Sequence, residues 1–283
     1  MTTGSESTNR ENGALYVVST PIGNMGDMSF RAVEVLSSAA LVVAEDTRHS
    51  RRLLDHYQIT TRCAPYHEHN EARETPRLVK RLLDGDTIAL ITDAGTPLLS
   101  DPGARLVAAA IDAGVAVVPI PGASALLAAL VGSGLAGEQF TFFGFLPRKG
   151  KDRLHVLTEI MRMQHTAIIY EAPGRVGETL AEISESGAGT RTAVVARELT
   201  KKFEEYARGT VAELASRFSE SPARGEVVIL ISGAEKEELS EAFLGEEVMR
   251  LRDAGKTQRE IVEWLISRHG APRNLAYRLA HES

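Results

Sequence analysis

The stretch ITDAGTPLLSDPG (91–103) holds two Asp, two Gly, two Pro, Thr92, Thr96 and Ser100 directly after the apolar run Ile88–Ile91. Side-chain oxygens set among backbone-shaping residues at a strand end are what a cleft needs to hold a small ligand against bare backbone. The spacing excludes two common uses of such a loop. It contains neither the G-x-G-x-x-G of a dinucleotide fold nor the G-x-x-x-x-G-K-[ST] of a phosphate loop. His67 and His69 in YHEHNE sit in a polar turn without a recognisable cage of cysteines or carboxylates, so no metal is expected, and no serine nucleophile elbow occurs. A ligand bound by amides, carbonyls and a few polar side chains remains.

Three more loops share this character: STPIGN (19–24), AEDTR (44–48) and PIPGAS (119–124). Acid–base candidates on or near them are Glu45, Asp46, Glu198, Lys201 and Glu205. Asp46 and Lys201 are taken as base or orienting group, but an Asp46–Arg48 pair that merely fixes its loop stands beside that reading, as does a solvated charged hairpin over RELTKKFEE. Cation clusters at RHSRR (48–52), PRKGKDR (147–153) and along the C-terminal segment suit phosphate contacts, with Arg48, Arg51, Arg52, Lys202, Lys256 and Arg273 singled out.

The elements that must position these loops follow from periodicity. LYVVSTP, ALVVAEDT, TIALITD and VAVVPIP read as strands alternating with helical patterns over FRAVEVLSSA, RRLLDHY, TPRLVKRLLDG and DPGARLVAAAIDAG. Alternation of this kind predicts a parallel sheet with helices on its faces, which brings the loops to one rim. Pro102 is expected in the first turn of the helix over 101–114. A second α/β set follows, with strands QFTFFGFL, TAIIYEA, RTAVVARE, FEEYARGT and GEVVILISG. The expected organisation is a polar, disordered tail (1–13), α/β domains over 14–121 and 122–234, an acidic linker or connecting helix (235–247), and a helix-turn-helix-like module (248–283).

The 283 residues carry a net charge of −6, yet Val248–Ser283 has seven Lys/Arg against four Asp/Glu, so a +3 tail follows a −9 body. That asymmetry leaves room for an anionic partner at one end. A single cysteine, Cys63, points to a reducing, cytoplasmic setting, and no membrane-spanning run is expected, since Asp112, Pro119, Pro121 and Gly122 break the most apolar region.

STPIGN, AEDTRHSRRLL, DAGTPLLSDPG, PIPGASAL, EAPGR and ARELTKKFEE, in that order, closely resemble the bacterial ribosomal RNA small subunit methyltransferase I family. The resemblance covers roughly residues 14–233. It implies the tetrapyrrole methylase fold, two α/β domains with an S-adenosylmethionine (SAM) cleft between them, and 2′-O-methylation of a decoding-centre cytidine in 16S rRNA of the 30S subunit, by a homodimer. By the same resemblance Pro21, Gly23, Asp93, Gly95, Thr96, Pro97, Leu99, Ser124, Ala125, Tyr170 and Glu226 are expected at the cofactor. A precorrin or other tetrapyrrole methyltransferase and a non-catalytic SAM-binding module are the competing readings.

Overall fold

The computed structural model describes residues 13–135, 137–234 and 241–281. These form two compact units that divide after Ser232. The tail 1–12 and the first six residues of the expected acidic linker, 235–240, lie outside the described residues. Gly13, placed in the tail by composition, is buried, and its N–H donates to the Leu82 carbonyl at 2.8 Å.

The first sheet contains β1 (Ala14–Val18), β2 (Leu41–Ala44), β3 (Cys63–Pro65), β4 (Ile88–Ile91) and β5 (Ala116–Ile120), all parallel, in the order β3-β2-β4-β1-β5. Its helices are α1 (Phe30–Ser38), α2 (Thr47–His56), α3 (Glu71–Leu83) and α4 (Ala104–Asp112). The period-2 alternation of a strand sorts the core between the faces. Ile88 and Leu90 pack with Leu78 and Leu82 of α3 and Leu106 of α4, whereas Ala89 and Ile91 pack with Leu36 of α1 and Leu54 of α2. A strand buried on both faces has no polar register, so the run IALI is apolar throughout.

α5 (Ala125–Ser133) leads into a second sheet of β6 (Phe140–Phe145), β7 (Thr166–Glu171), β8 (Thr192–Arg197), β9 (Glu205–Thr210) and β10 (Val227–Ile231) in the order β6-β7-β10-β8-β9. Only β6 and β7 are parallel; β10 runs antiparallel to both β7 and β8. α6 (Lys151–Arg162), α7 (Val176–Ile183) and α8 (Val211–Glu220) cover one face. The other face packs on α5 together with Ile22 and Leu99, residues from the loops after β1 and β4. The two α/β layers therefore share a core cluster and form one compact unit.

α7 and α8 touch at Gly177. A Cβ there would lie 2.8 Å from the Ser219 nitrogen and 2.9 Å from the Phe218 carbonyl carbon, both backbone atoms that cannot rotate away. Gly177→Ala is expected to destabilise the protein by about 1–3 kcal/mol through overpacking. Urea unfolding would register this as a lower midpoint at unchanged slope; an unchanged midpoint would mean that the helices separate freely.

Three differences from the sequence reading bear on the site. The helix expected from Asp101 begins only at Ala104, with Gly103 at φ +130 before it, so Asp101 and Pro102 belong to the loop. The short edge strand β3 was not expected. In the second unit α9 (Glu241–Asp253) runs through the expected boundary at 247/248 and is followed by α10 (Gln258–His269) and α11 (Arg273–His281). The three helices enclose a small core of Leu244, Val248, Ile261, Leu265, Ala276 and Leu279. Thr257 and Glu260 form a reciprocal capping box at the start of α10.

Candidate active site

The loops after β1, β2, β4 and β5 lie at the carboxyl edge of the parallel sheet, where such folds bind ligands. The second sheet supplies the opposite wall. Because β10 is antiparallel to its neighbours, its first residue Val227 pairs with both Glu171 and Arg197, the last residues of β7 and β8. Glu226 and Gly225, which precede it, thus stand at the ends of β7 and β8, where the Glu198 N–H donates to the Glu226 carbonyl at 3.0 Å. Between the walls is a cavity of about 380 Å³, within the ~300–1,000 Å³ usual for small-molecule sites.

The loop over 92–103 is tied down from both sides. Thr20 and Gly95 exchange backbone hydrogen bonds of 2.8 and 3.0 Å. Thr96 Oγ1 donates to the Ala123 carbonyl at 3.1 Å and pairs with Ser19 Oγ at 3.0 Å. Gly95 has φ +83, and a Cβ there would press on Ile22 Cγ2 at 3.2 Å. The glycine therefore serves the loop's own conformation; its N–H and C=O are already spent on Thr20. Of the five described non-glycine residues at positive φ, Leu98 and Ser100 lie in this loop and Glu198 and Thr200 in the loop after β8. Left-handed backbone at such residues costs of order 1–3 kcal/mol each and collects at ligand sites.

The cavity's charge is one-sided. Glu45, Asp93, Asp101, Glu171 and Glu226 line it, and among the described residues no Lys, Arg or His does, although Arg175 pairs with Glu171 (3.5 Å) and Lys201 with Glu226 (3.0 Å) from outside the lining. Glu171 is satisfied internally, accepting from Thr179 Oγ1 at 2.7 Å and the Ala172 N–H at 2.8 Å. Burial pushes Asp101 up to about 6; the Thr92 hydroxyl opposes this shift, and the charges of Glu45 and Asp93 add to it. Burial, then Asp93, raises Glu45 as well. Leu99, Leu199, Tyr170, Val227 and Val228 supply apolar surface opposite these acids. Tyr170 Oη accepts the Leu126 N–H at 3.1 Å and Ser124 Oγ that of Leu127 at 3.5 Å, so both satisfy the first turn of α5.

A second cavity, about 420 Å³, adjoins the first and shares Ile22, Asp93, Ala94 and Glu226 with it. Pro21, Gly23, Met25, His49, Arg52 and Lys201 line its remainder.

Of the residues expected at a cofactor, Gly95, Thr96, Leu99, Ala125 and Tyr170 line the first cavity, and Asp93 and Glu226 line both. Pro21 and Gly23 face the second cavity instead, because the loop after β1 turns away beyond Ile22. Pro97 is buried in its loop and Ser124 caps α5; neither lines a cavity. Asp46 lines neither cavity. It is the N-cap of α2, accepting the Arg48 N–H at 2.8 Å, and that bond above all holds its carboxyl below the usual range. A carboxylate so engaged is a weakened base. Lys201 lies between Glu198 (2.9 Å) and Glu226 (3.0 Å). Bonds to these two carboxylates outweigh its partial burial and raise its pKa, so the amine is an ammonium with no lone pair to accept a proton. Glu205 pairs with Arg197 and Arg217, away from both cavities.

Among the phosphate candidates, Arg48 pairs with Asp46 (3.5 Å), Arg51 with Asp55 (3.9 Å) and Lys256 with Glu260 (3.0 Å). Lys202 lies over the exposed Phe203 ring, and Arg273 over Tyr277 in a surface groove of the second unit that Arg259 also lines. Sequence reading missed Asp101 as a cavity acid because Asp-Pro-Gly before an apolar stripe reads equally as a helix start. Among the described residues no cluster suited to a metal occurs, and no helix is long and apolar enough to cross a membrane.

Residues 14–215 match the family described as Tetrapyrrole (Corrin/Porphyrin) Methylases. A Synechocystis protein named ribosomal RNA small subunit methyltransferase I is 44% identical over 273 residues, 95% of this chain and 98% of that protein. This chain belongs to the ribosomal RNA small subunit methyltransferase I family. The family's Pseudomonas aeruginosa member is 47% identical over 85% of this chain and 86% of its own length, and the Bacillus subtilis member 40% identical over 95% and 94%. The fold of the family recurs in uroporphyrin-III C-methyltransferase from Thermus thermophilus, solved with S-adenosyl homocysteine: TM-score 0.57 at 17% identity, over 78% of this chain and 97% of that one. Cobalt precorrin-4 methyltransferase shares it too, with TM-score 0.59 at 17% identity over 77% and 94%.

Proposed function

We propose that this protein transfers the methyl group of SAM to the ribose 2′-hydroxyl of a decoding-centre cytidine in 16S rRNA, acting on the 30S subunit in the cytoplasm as a homodimer. The observation that carries this reading is the pairing of an acidic, partly apolar cavity with a second, cation-bearing one along a shared edge. SAM supplies a methyl group made electrophilic by a sulfonium. The first cavity fits it by the chemistry of its donors: Glu45, Asp93 and Asp101 face a cationic ligand without a competing protein cation, and Tyr170, Leu99 and Val228 offer an apolar bed for an adenosyl group.

A ribose hydroxyl is a poor nucleophile, so a base within hydrogen-bond reach accelerates its attack. Asp93 is placed for this, since it lines both cavities. Its Oδ1 accepts the Asp46 N–H at 3.2 Å, which fixes the carboxylate at the junction. The backbone of residue 46 thus holds Asp93 while the Asp46 carboxylate caps α2. Lys201, as an ammonium, orients and screens charge; it does not take the proton.

Methyl incorporation from labelled SAM into 30S subunits, protein-free 16S rRNA and a precorrin tests the reading. Transfer to 30S subunits, at a nucleotide located by 2′-O-methyl mapping, is the expected result. Transfer to the precorrin alone would replace the reading with the tetrapyrrole one, and SAM binding without transfer to any of the three would leave a binding module.

The second unit supplies reach along the RNA in this reading. Removing residues 233–283 is expected to leave SAM affinity within about twofold but to raise the 30S concentration at half-maximal rate roughly tenfold near 100 mM salt, by loss of several phosphate contacts. An unchanged 30S dependence would remove the unit from the RNA interface.

A further inference from the structure

The second cavity differs from the first in charge, and the difference is built rather than incidental. His49, Arg52 and Lys201 line it, against Asp93 and Glu226 on the shared edge. Lys201 is not a free surface lysine. Its side chain is only 27% exposed, and its N–H donates to the Glu198 carbonyl at 3.0 Å in a turn that holds Glu198 at φ +51 and Thr200 at φ +66. The aliphatic stem lies across Gly23, where a Cβ would stand 2.5 Å from Lys201 Cγ. A bare backbone on one loop and a strained turn on another together set one ammonium at the edge of this space, where it donates to Glu198 at 2.9 Å and Glu226 at 3.0 Å and keeps one N–H for a ligand. Arg52 reaches the same cavity from α2. Among the described residues its exposed side chain makes no ion pair or hydrogen bond, unlike those of its neighbours Arg48 and Arg51. A guanidinium left without an acidic partner at a cavity wall suits a phosphate, whose oxygens match its fork of donors.

We propose that the second cavity seats the acceptor nucleotide of the RNA, with Arg52 and Lys201 gripping its phosphate while Pro21, Ile22 and Met25 bed its sugar; this rests on the methyl-transfer reading above. The two ligands sort by charge. A cation belongs with the carboxylates of the first cavity, which repel a phosphodiester, whereas the second offers a phosphodiester the cations Arg52 and Lys201. The shared edge of Ile22, Asp93, Ala94 and Glu226 is where the two reacting groups meet, which puts Asp93 beside the hydroxyl and lets Glu226 hold Lys201 from the cofactor side.

The full-length protein tests this in single-turnover transfer to unmethylated 30S subunits at several salt concentrations, with SAM affinity measured in parallel by calorimetry. Arg52→Ala is expected to raise the 30S concentration at half-maximal rate about tenfold and to reduce the slope of log affinity against log salt by about 1, with SAM affinity unchanged. Arg52→Lys should recover much of the loss, because a charge is restored without the fork. Lys201→Gln, which keeps the stem over Gly23, should lower the salt slope by a similar amount. Loss of fold alone would not change a salt slope. If Arg52→Ala and Lys201→Gln leave both 30S dependence and slope as in the wild type, the inference is wrong while the methyl-transfer reading stands. Weakened SAM binding at unchanged 30S dependence would assign the cavity to the cofactor. A wild-type protein that transfers nothing to 30S subunits would overturn the methyl-transfer reading and this inference with it.

Discussion

Asp93→Asn is expected to slow single-turnover methyl transfer to 30S subunits by about 10²–10⁴-fold at saturating RNA and SAM, the range a general base contributes. The asparagine keeps the shape of the side chain and can still accept the Asp46 N–H, so the loop junction is retained while the group that takes the hydroxyl proton is lost. The loss should fall on the rate at saturation rather than on the RNA concentration required, which distinguishes a proton acceptor from a binding group. Asp46→Ala should behave differently: it removes the cap of α2 and so lowers the unfolding midpoint, and it lowers the rate less than Asp93→Asn does. A wild-type transfer rate in Asp93→Asn would exclude Asp93 as the base and turn attention to Glu45 and Asp101, the other acids of the cavity.

Ala125→Trp is expected to weaken SAM binding by about 100-fold or more, roughly 2.8 kcal/mol. Ala125 opens α5 and lines only the first cavity, so an indole there occupies ligand space without touching the second. It is a cleaner probe than Gly95→Trp, where the positive φ and the contact with Ile22 would also strain the fold. Unchanged far-UV circular dichroism with lost calorimetric binding is the expected pair of results; retained affinity would remove the cofactor from this cavity. In the wild-type protein SAM affinity should also depend on pH. Asp101, pushed up to about 6, is ionised at neutral pH and takes up a proton as pH falls through that value. A bound cation favours the ionised form, so the complex has a lower Asp101 pKa than the free protein and affinity falls as pH drops below about 6. Asp101→Asn should flatten this dependence and weaken binding at neutral pH.

Much of this molecule is legible in its residues. Apolar runs alternating with amphipathic ones define the parallel sheet, and Gly, Pro and Asp after each run place the functional loops at the strand ends. Local signals sufficed there because a buried parallel strand has to be apolar on both faces and a rim loop has to turn. β3 escaped because three residues at a sheet edge need no apolar run of their own; they borrow the register of β2. The start of α4 escaped because Pro102 and Gly103 fit both a helix start and a continued loop, and only the packing of the strained loop against Ile22 and Thr20 decides between them.

The sequence by itself determined the family, through six motifs in order, and with it the set of loops that form the rim. Which acid in each loop faces the ligand was decided by the tertiary structure. Asp46 and Asp93 follow adjacent parallel strands and look alike as letters, yet Asp46 turns back to cap α2 while Asp93 lies where two cavities meet. Lys201 reads as a possible base until Glu226, 25 residues away, is brought beside it by the antiparallel course of β10. A side chain's protonation and direction depend on neighbours that are distant in the chain. Local spacing carries no information about those neighbours until the two sheets have packed around their common core.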